Sequence, residues 1–320
     1  MSELRQDPWS GEWISFSDHR QARPLEGADG WCPFCPGDPA DHEVADRDWD
    51  VMVFENRFPA LGGPATWPLP HPGYASRPAR GHAEVVLYAP DHEAELGSLG
   101  VERVARVIEV WADRSTALAR DPEVQSILVF ENRGREVGAT IAHPHGQIYA
   151  YPFVPSRIVQ QMRAAEAFTR SSGLCLGCEV VARELKDGRR VLAQDAHVLV
   201  HVPFAPRFPY EVHLLPRRHV RRLAELSAAE RRALAAQLCR LVARYDRLFG
   251  FKLPYVMLVH EPPVRGPLAG VAGHLRIAFL PPHRAADRLK VVAGSELGAG
   301  AFLTDVLPEV AAERLRQAGS

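Results

Sequence analysis

The same four potential metal ligands occur twice in this chain, in the same order. Cys32, Cys35, His92 and His143 form one set, and Cys175, Cys178, His219 and His274 form the other. The second cysteine and the first histidine are 57 residues apart in one set and 41 in the other. The two histidines are 51 residues apart (92 to 143) and 55 apart (219 to 274). Each half runs C-x-x-C, strand, His, helix, strand, loop, His, strand. A supersecondary unit repeated at this period predicts two similar lobes. Two thiolates and two imidazoles also make a tetrahedral structural zinc set. One C-x-x-C alone is a weak signal; the four-ligand order found twice is much stronger. In a reducing compartment such pairs are more often metal or redox sites than disulfides. Cys239 falls in neither pair.

Hydrophobic periodicity supplies the elements between the ligands. Val101, Val104, Ala105, Ile108, Trp111, Ala112, Ser115 and Leu118 mark one face of a helix from about 101 to 119. Helical spacing recurs over 156–171 and in the tail from 308 to 318. Ser227-Ala228-Ala229-Glu230 is a capping box that opens a helix reaching about Phe249. Short strands are expected at 13–16, 51–58, 84–88, 126–130, 198–202, 210–216 and 255–259, with another after His274.

The chemistry concentrates in His143-Pro144-His145-Gly146-Gln147. Residues 147–151 read as a strand, and on a strand alternate residues share a face. His143, His145 and Gln147 are therefore expected to look the same way. Gly146 leaves room for a close approach to the backbone. With His143 tethered to a metal, His145 is left as a neutral imidazole, a good nucleophile toward phosphorus. A backbone carbonyl of His143 or a neighbour is expected to fix its tautomer. Gln147 is placed to donate to a phosphoryl oxygen, with Asn132 and Thr140 as further donors. In the second half Arg276 stands where His145 stands in the first, and an arginine cannot act as a nucleophile at neutral pH. Arg20 and Arg23, three apart in a loop, suit a phosphate clamp, and Lys290 is another phosphate-binding candidate.

The bulk composition excludes some partners. A chain of 320 residues that is 46% hydrophobic and 24% charged fits a globular protein with a full core. A net charge of −1 gives no electrostatic footprint for nucleic acid or an acidic membrane surface. No run of residues approaches a membrane span, and Met1–Arg5 lacks an apolar signal region, which predicts a cytoplasmic protein.

His143-Pro-His-Gly-Gln147, with Phe130-Glu-Asn-Arg-Gly134 upstream and Cys32-Pro-Phe-Cys35, resembles the galactose-1-phosphate uridylyltransferase family of the histidine-triad superfamily. The resemblance runs from Arg20 to the Ala311–Arg316 tail. It implies an α+β fold of two fused histidine-triad-like lobes, residues 1–160 and 161–320, each an antiparallel sheet with packed helices. It further implies a homodimer and transfer of UMP from UDP-glucose to galactose 1-phosphate by double displacement through His145, with Gln147 steadying the phosphoryl group. The zinc site would be Cys32, Cys35, His92 and His143. Arg20, Arg23, Asn56, Asn132 and Thr140 would line the nucleotide and phosphates, and Lys290 and Glu296 would reach the sugar phosphate. The chain departs from the bacterial pattern at a second, iron-type site. His260 matches one ligand there, but Gln161, Arg276 and Ala278 hold the other positions. Cys175, Cys178, His219 and His274 instead resemble the second zinc site of the plant ADP-glucose phosphorylase branch. Arg57 and Phe302 replace an expected aspartate and glutamine, which leaves base and sugar open. The competing readings are an ADP-glucose phosphorylase-like transferase using the same histidine and a zinc-stabilised nucleotide-binding protein without catalysis.

Overall fold

The computed structural model describes residues 2–22, 31–38, 42–46, 48–62 and 71–319. In chain order the elements of the first half are β1 (Ser2–Gln6), β2 (Trp13–Ser17), β3 (Met52–Glu55), β4 (Ser76–Pro78), β5 (His82–Leu87), α1 (Val101–Leu118), β6 (Ser126–Arg133) and β7 (His145–Tyr151). The second half has α2 (Ser156–Ser172), α3 (Leu176–Asp187), β8 (Val191–Gln194), β9 (Val198–His201), β10 (Val212–Pro216), α4 (Ala228–Phe249), β11 (Tyr255–His260) and β12 (Arg276–Leu280). A short hairpin, β13 (His283–Ala285) and β14 (Arg288–Leu289), and helices α5 (Gly294–Ala299) and α6 (Pro308–Gln317) complete it.

The fold is α+β, and the repeat is visible in its sheet. Nine strands pair antiparallel in the order β3-β5-β7-β6-β11-β12-β10-β9-β8. β6 and β11 meet at the middle, with Phe130 opposite Leu258. Counted outward from that join, β7 corresponds to β12, β5 to β10 and β3 to β9. The two half-sheets are thus one sheet whose hydrogen bonding runs unbroken through the join. Helices α1 and α4 pack on each other and on one face of this sheet.

The sequence pattern explains that packing. In α1 the buried residues are Val104, Val107, Ile108, Trp111, Ala112, Ser115 and Leu118, a stripe at helical spacing. In α4 they include Leu234, Leu238, Leu241, Val242 and Tyr245. All of these except Ser115 belong to one core shared by both halves, and each large apolar side chain buried there contributes roughly 1.5–3 kcal/mol. Ser227 opens α4 as expected: its hydroxyl accepts from Glu230 N at 3.2 Å and the Glu230 carboxylate accepts from Ser227 N at 2.9 Å. The other face of the sheet is covered in the first half by smaller clusters. One joins Phe34, Val85 and Leu87; another joins Leu4, Leu61 and Ala79 with Tyr149, Tyr151 and Phe153 beside it. A separate three-stranded sheet, β2-β1-β4, carries Leu4 into the latter cluster.

Candidate functional site

Strand alternation builds the site. In β7 the residues Gly146, Ile148 and Ala150 are buried, and His145, Gln147, Tyr149 and Tyr151 face the other way. Ile148 and Ala150 enter the core beneath α1, which leaves His145 and Gln147 on the face that the first-half loops cover. The strand begins at His145, so the two-residue period does not set His143. Contacts set it instead: its Nε2 donates to the Ala89 carbonyl at 2.9 Å, and its Nδ1 lies 3.7 Å from Cys35 Sγ. Burial holds the His143 ring neutral, with its pKa lowered to about 4.

His145 is held by the backbone before it. Its Nδ1 donates to the His143 carbonyl at 2.7 Å, which places the ring's lone pair on Nε2. Phe34, between the two cysteines of the first set, packs edge-on to the His145 ring at 5.1 Å and to the His143 ring at 6.3 Å. Gly146 is required at its position: a Cβ there would stand 2.2 Å from the hydroxyl of Tyr88.

Two cavities open on His145. The larger, about 220 Å³, is lined by Asn132, Arg133, Arg135, Thr140 and Lys252 among others. The smaller, about 30 Å³, is lined by Asn56, Phe58, Thr140 and Gln147, with Phe34 and Glu43. Asn56 Oδ1 accepts from the Phe58 amide at 2.9 Å, and Arg20 donates to the Phe58 carbonyl at 2.9 Å, which ties the Arg20 loop to this wall. Of the residues expected at the site from the sequence, His145, Gln147, Asn56, Asn132 and Thr140 therefore converge, with Arg20 one contact away. Arg23 lies outside the described residues. Lys290 and Glu296 pair with each other at 2.7 Å, and neither lines these two cavities.

The sequence reading missed the three cationic side chains of the larger cavity. Arg133 pairs with Glu95 and with Asp246, the latter at 2.9 Å, so its charge is already engaged. Lys252 pairs with Glu95 at 2.7 Å. Arg135 is exposed, and its side chain makes no hydrogen bond or ion pair among the described residues. Its signal was available, since it follows the Asn132-Arg133-Gly134 stretch directly. Glu131 lines the same cavity but is itself buried. It accepts from the Tyr255 hydroxyl at 2.8 Å, and burial raises its pKa to about 7.

Both ligand sets assemble, and each could hold a metal ion. In the first, Cys35 Sγ lies 3.4 Å from His92 Nδ1 and 3.7 Å from His143 Nδ1. In the second, Cys178 Sγ lies 3.5 Å from His219 Nδ1 and 3.6 Å from His274 Nδ1, and Cys175 Sγ lies 3.8 Å from the latter. The parallel extends outward: His274 Nε2 donates to the Pro216 carbonyl at 2.9 Å, as His143 donates to Ala89. In each set the histidine thus turns Nδ1 inward and anchors Nε2 on a backbone carbonyl, the usual outer support of a metal-bound imidazole. Among the described residues, these are the two groups of cysteine, histidine and carboxylate side chains that close up tightly enough for an ion.

The structure is one antiparallel sheet built from two similar halves, with His145 beside a polar cleft, and comparison with known proteins gives the class of protein to which it belongs. Residues 1–155 match the galactose-1-phosphate uridyl transferase N-terminal domain, and residues 161–319 match the C-terminal domain of the same family. The chain belongs to the galactose-1-phosphate uridylyltransferase family. It is 38% identical over 320 residues to the galactose-1-phosphate uridylyltransferase of Thermotoga maritima, covering 99% of this chain and 98% of that protein. A solved structure of a uridylyltransferase superposes with a TM-score of 0.89 at 34% identity, covering 99% of this chain and 98% of the other. An ADP-glucose phosphorylase from Arabidopsis thaliana shares the fold, with a TM-score of 0.76 at 24% identity over 99% of this chain and 98% of that one. Among the described residues no helix is long and apolar enough to cross a membrane.

Proposed function

We propose that this protein transfers UMP from UDP-glucose to galactose 1-phosphate in two displacements on His145. The observation that carries this is the 2.7 Å bond from His145 Nδ1 to the His143 carbonyl, on the wall of a polar cleft. That bond directs the Nε2 lone pair to attack the α-phosphorus of UDP-glucose. A P–N bond forms, the P–O bond to glucose 1-phosphate breaks, and the leaving phosphate keeps the electron pair. A phosphate oxygen of galactose 1-phosphate then attacks the same phosphorus. The P–N bond breaks, UDP-galactose leaves, and the lone pair returns to the ring. Gln147 and Thr140 supply hydrogen-bond donors to the phosphoryl oxygens as charge shifts between them. Asn56 and Arg20 bind the nucleotide side. Arg135 adds a cation for the entering phosphate.

We assign zinc to both ligand sets. Zinc bonds of about 2.3 Å to sulfur and 2.0–2.1 Å to nitrogen, in a tetrahedron, set an S···N edge of about 3.6 Å. The five sulfur–nitrogen separations span 3.4 to 3.8 Å, which fits. Bound at the first set, zinc supplies a structural tie that fixes His143, and the His143 carbonyl in turn aims His145. The lobe of residues 1–160 carries the chemistry and the lobe of 161–320 completes the fold. We also infer a homodimer, in which Lys290 and Glu296 contribute to a sugar-phosphate site. The C-terminal segment that carries them exposes Val291, Leu297, Leu303 and Leu307 at 65–77% of their surface, which supports a partner there.

The test is to supply UDP-glucose and ADP-glucose in parallel, each with galactose 1-phosphate or phosphate as acceptor. The proposal expects glucose 1-phosphate and UDP-galactose from the first pair. Turnover confined to ADP-glucose and phosphate would overturn it.

A further inference from the structure

The second half carries a cavity that the transfer reaction does not use. It measures about 260 Å³ and lies on the same face of the sheet as the His145 site, over β9 to β12. Strand register aligns its polar wall. His260 stands opposite Arg276, and Ala278, two residues on, stands opposite His213, which stands opposite His201. Arg276 is the first residue of β12, as His145 is the first residue of β7. Where Phe34 packs on His145 in the first half, the corresponding position in the second C-x-x-C is Gly177, which lines this cavity.

His213 is paired with Glu211 at 2.8 Å, and the other polar groups on this wall are wholly or partly without partners. The Arg276 side chain makes no hydrogen bond or ion pair among the described residues, and its Nε is shut off from solvent. Both ring nitrogens of His260 are buried without a partner. His201 is 1% exposed; its Nδ1 donates to the Val202 carbonyl at 3.1 Å, and its Nε2 has no partner. Burial pushes the pKa of His201 down to about 3 and that of His260 well below the usual range, so both rings are neutral. Buried polar groups left unmatched destabilise the fold, and more so when charged. The two carboxylates in the lining are engaged elsewhere, Glu184 with Arg190 at 3.0 Å and Glu261 with the Leu223 amide at 2.7 Å, which leaves the Arg276 guanidinium as the unpaired charge and calls for an anion. His201 Nε2 accepts, so the ligand also carries a hydroxyl or N–H donor. Met162, Leu176 and Phe204 line the rest, which suits a flat apolar body.

We propose that this cavity is a second, non-catalytic site for a nucleoside monophosphate, with the phosphate on Arg276 and His260, a ribose hydroxyl on His201 and the base against Phe204 and Met162. The choice of a nucleotide rests on the reading of the His145 cleft as a nucleotide site, which this cavity repeats across the join of the sheet. Calorimetric titration of the metal-loaded protein with UMP is expected to show two equivalents per chain. Arg276→Met is expected to keep full transferase activity while weakening the second equivalent about 10- to 100-fold, the range for loss of a charge-assisted hydrogen bond. It is also expected to raise the melting temperature of the ligand-free protein, because an unmatched guanidinium is removed. If Arg276→Met does not fold, Met162→Trp fills the apolar end and is expected to lose the second equivalent with transfer intact. Inorganic phosphate in place of UMP reads the head group alone and is expected to bind this site more weakly. A single equivalent of UMP in active wild-type protein, or a second equivalent that survives in both variants, would overturn the site. Loss of transferase activity in the wild type would instead count against the reading of the first site.

Discussion

At the scale of single residues, the larger cavity at His145 has a buried carboxyl in its lining. Glu131 sits beneath the same cavity, and its pKa is raised to about 7 by burial. The sign follows from linkage. The native state holds this proton more tightly than the unfolded chain does, so the contribution to stability is full below pH ~4.5 and is lost as pH rises through about 7. Glu131→Gln keeps an acceptor for the Tyr255 hydroxyl and removes the charge. Urea unfolding from pH 5 to 8 is expected to show the wild type losing up to about 3 kcal/mol relative to the variant. Parallel stability curves would show that Glu131 is ionised at no cost. The backbone contact of His145 Nδ1 was legible in the sequence, because the need for a tautomer-fixing carbonyl follows from imidazole itself. The identity of that carbonyl as His143 is what the fold adds.

At the scale of elements, β7 is pinned by one glycine. The Tyr88 hydroxyl occupies the space where a side chain on residue 146 would start. Gly146→Ala is therefore expected to destabilise the protein by about 1–3 kcal/mol, the usual cost of overpacking, and to lower activity by displacing His145. Adding Tyr88→Phe, which removes the offending oxygen, is expected to restore part of both. An unchanged melting temperature in Gly146→Ala would contradict the contact. Amphipathic helices such as α1 and α4 were readable from their stripes. Helix α3 was not: it starts inside the second C-x-x-C, with Cys175 as its N-cap, so its first turn reads as a metal knuckle. Strand β1 was hidden for a different reason. Its buried residues include Ser2 and Glu3, and Glu3 accepts from Arg5 at 3.0 Å and stands 3.2 Å from His71 Nε2, neighbours that no hydrophobic pattern shows.

At the scale of the whole molecule, the repeat predicted two lobes and two ligand sets, and the order of ligands in the chain was enough to group them correctly. What order could not show is that β6 and β11 pair, making one sheet, since long-range strand pairing leaves no mark on spacing. Metal analysis is expected to find about two zinc ions per chain, and chelation is expected to lower the melting temperature. Cys32→Ser is expected to remove one ion and most activity, and Cys175→Ser one ion with activity retained; one ion in the wild type would remove the second site. The central claim is that His145 carries the nucleotide between two half-reactions. Intact-mass analysis after incubation with UDP-glucose alone tests it most directly. The prediction is a gain of one uridylyl group per chain with release of glucose 1-phosphate, absent in His145→Asn and discharged by galactose 1-phosphate. Active enzyme that gains no mass, or a uridylyl group found in His145→Asn, would contradict it.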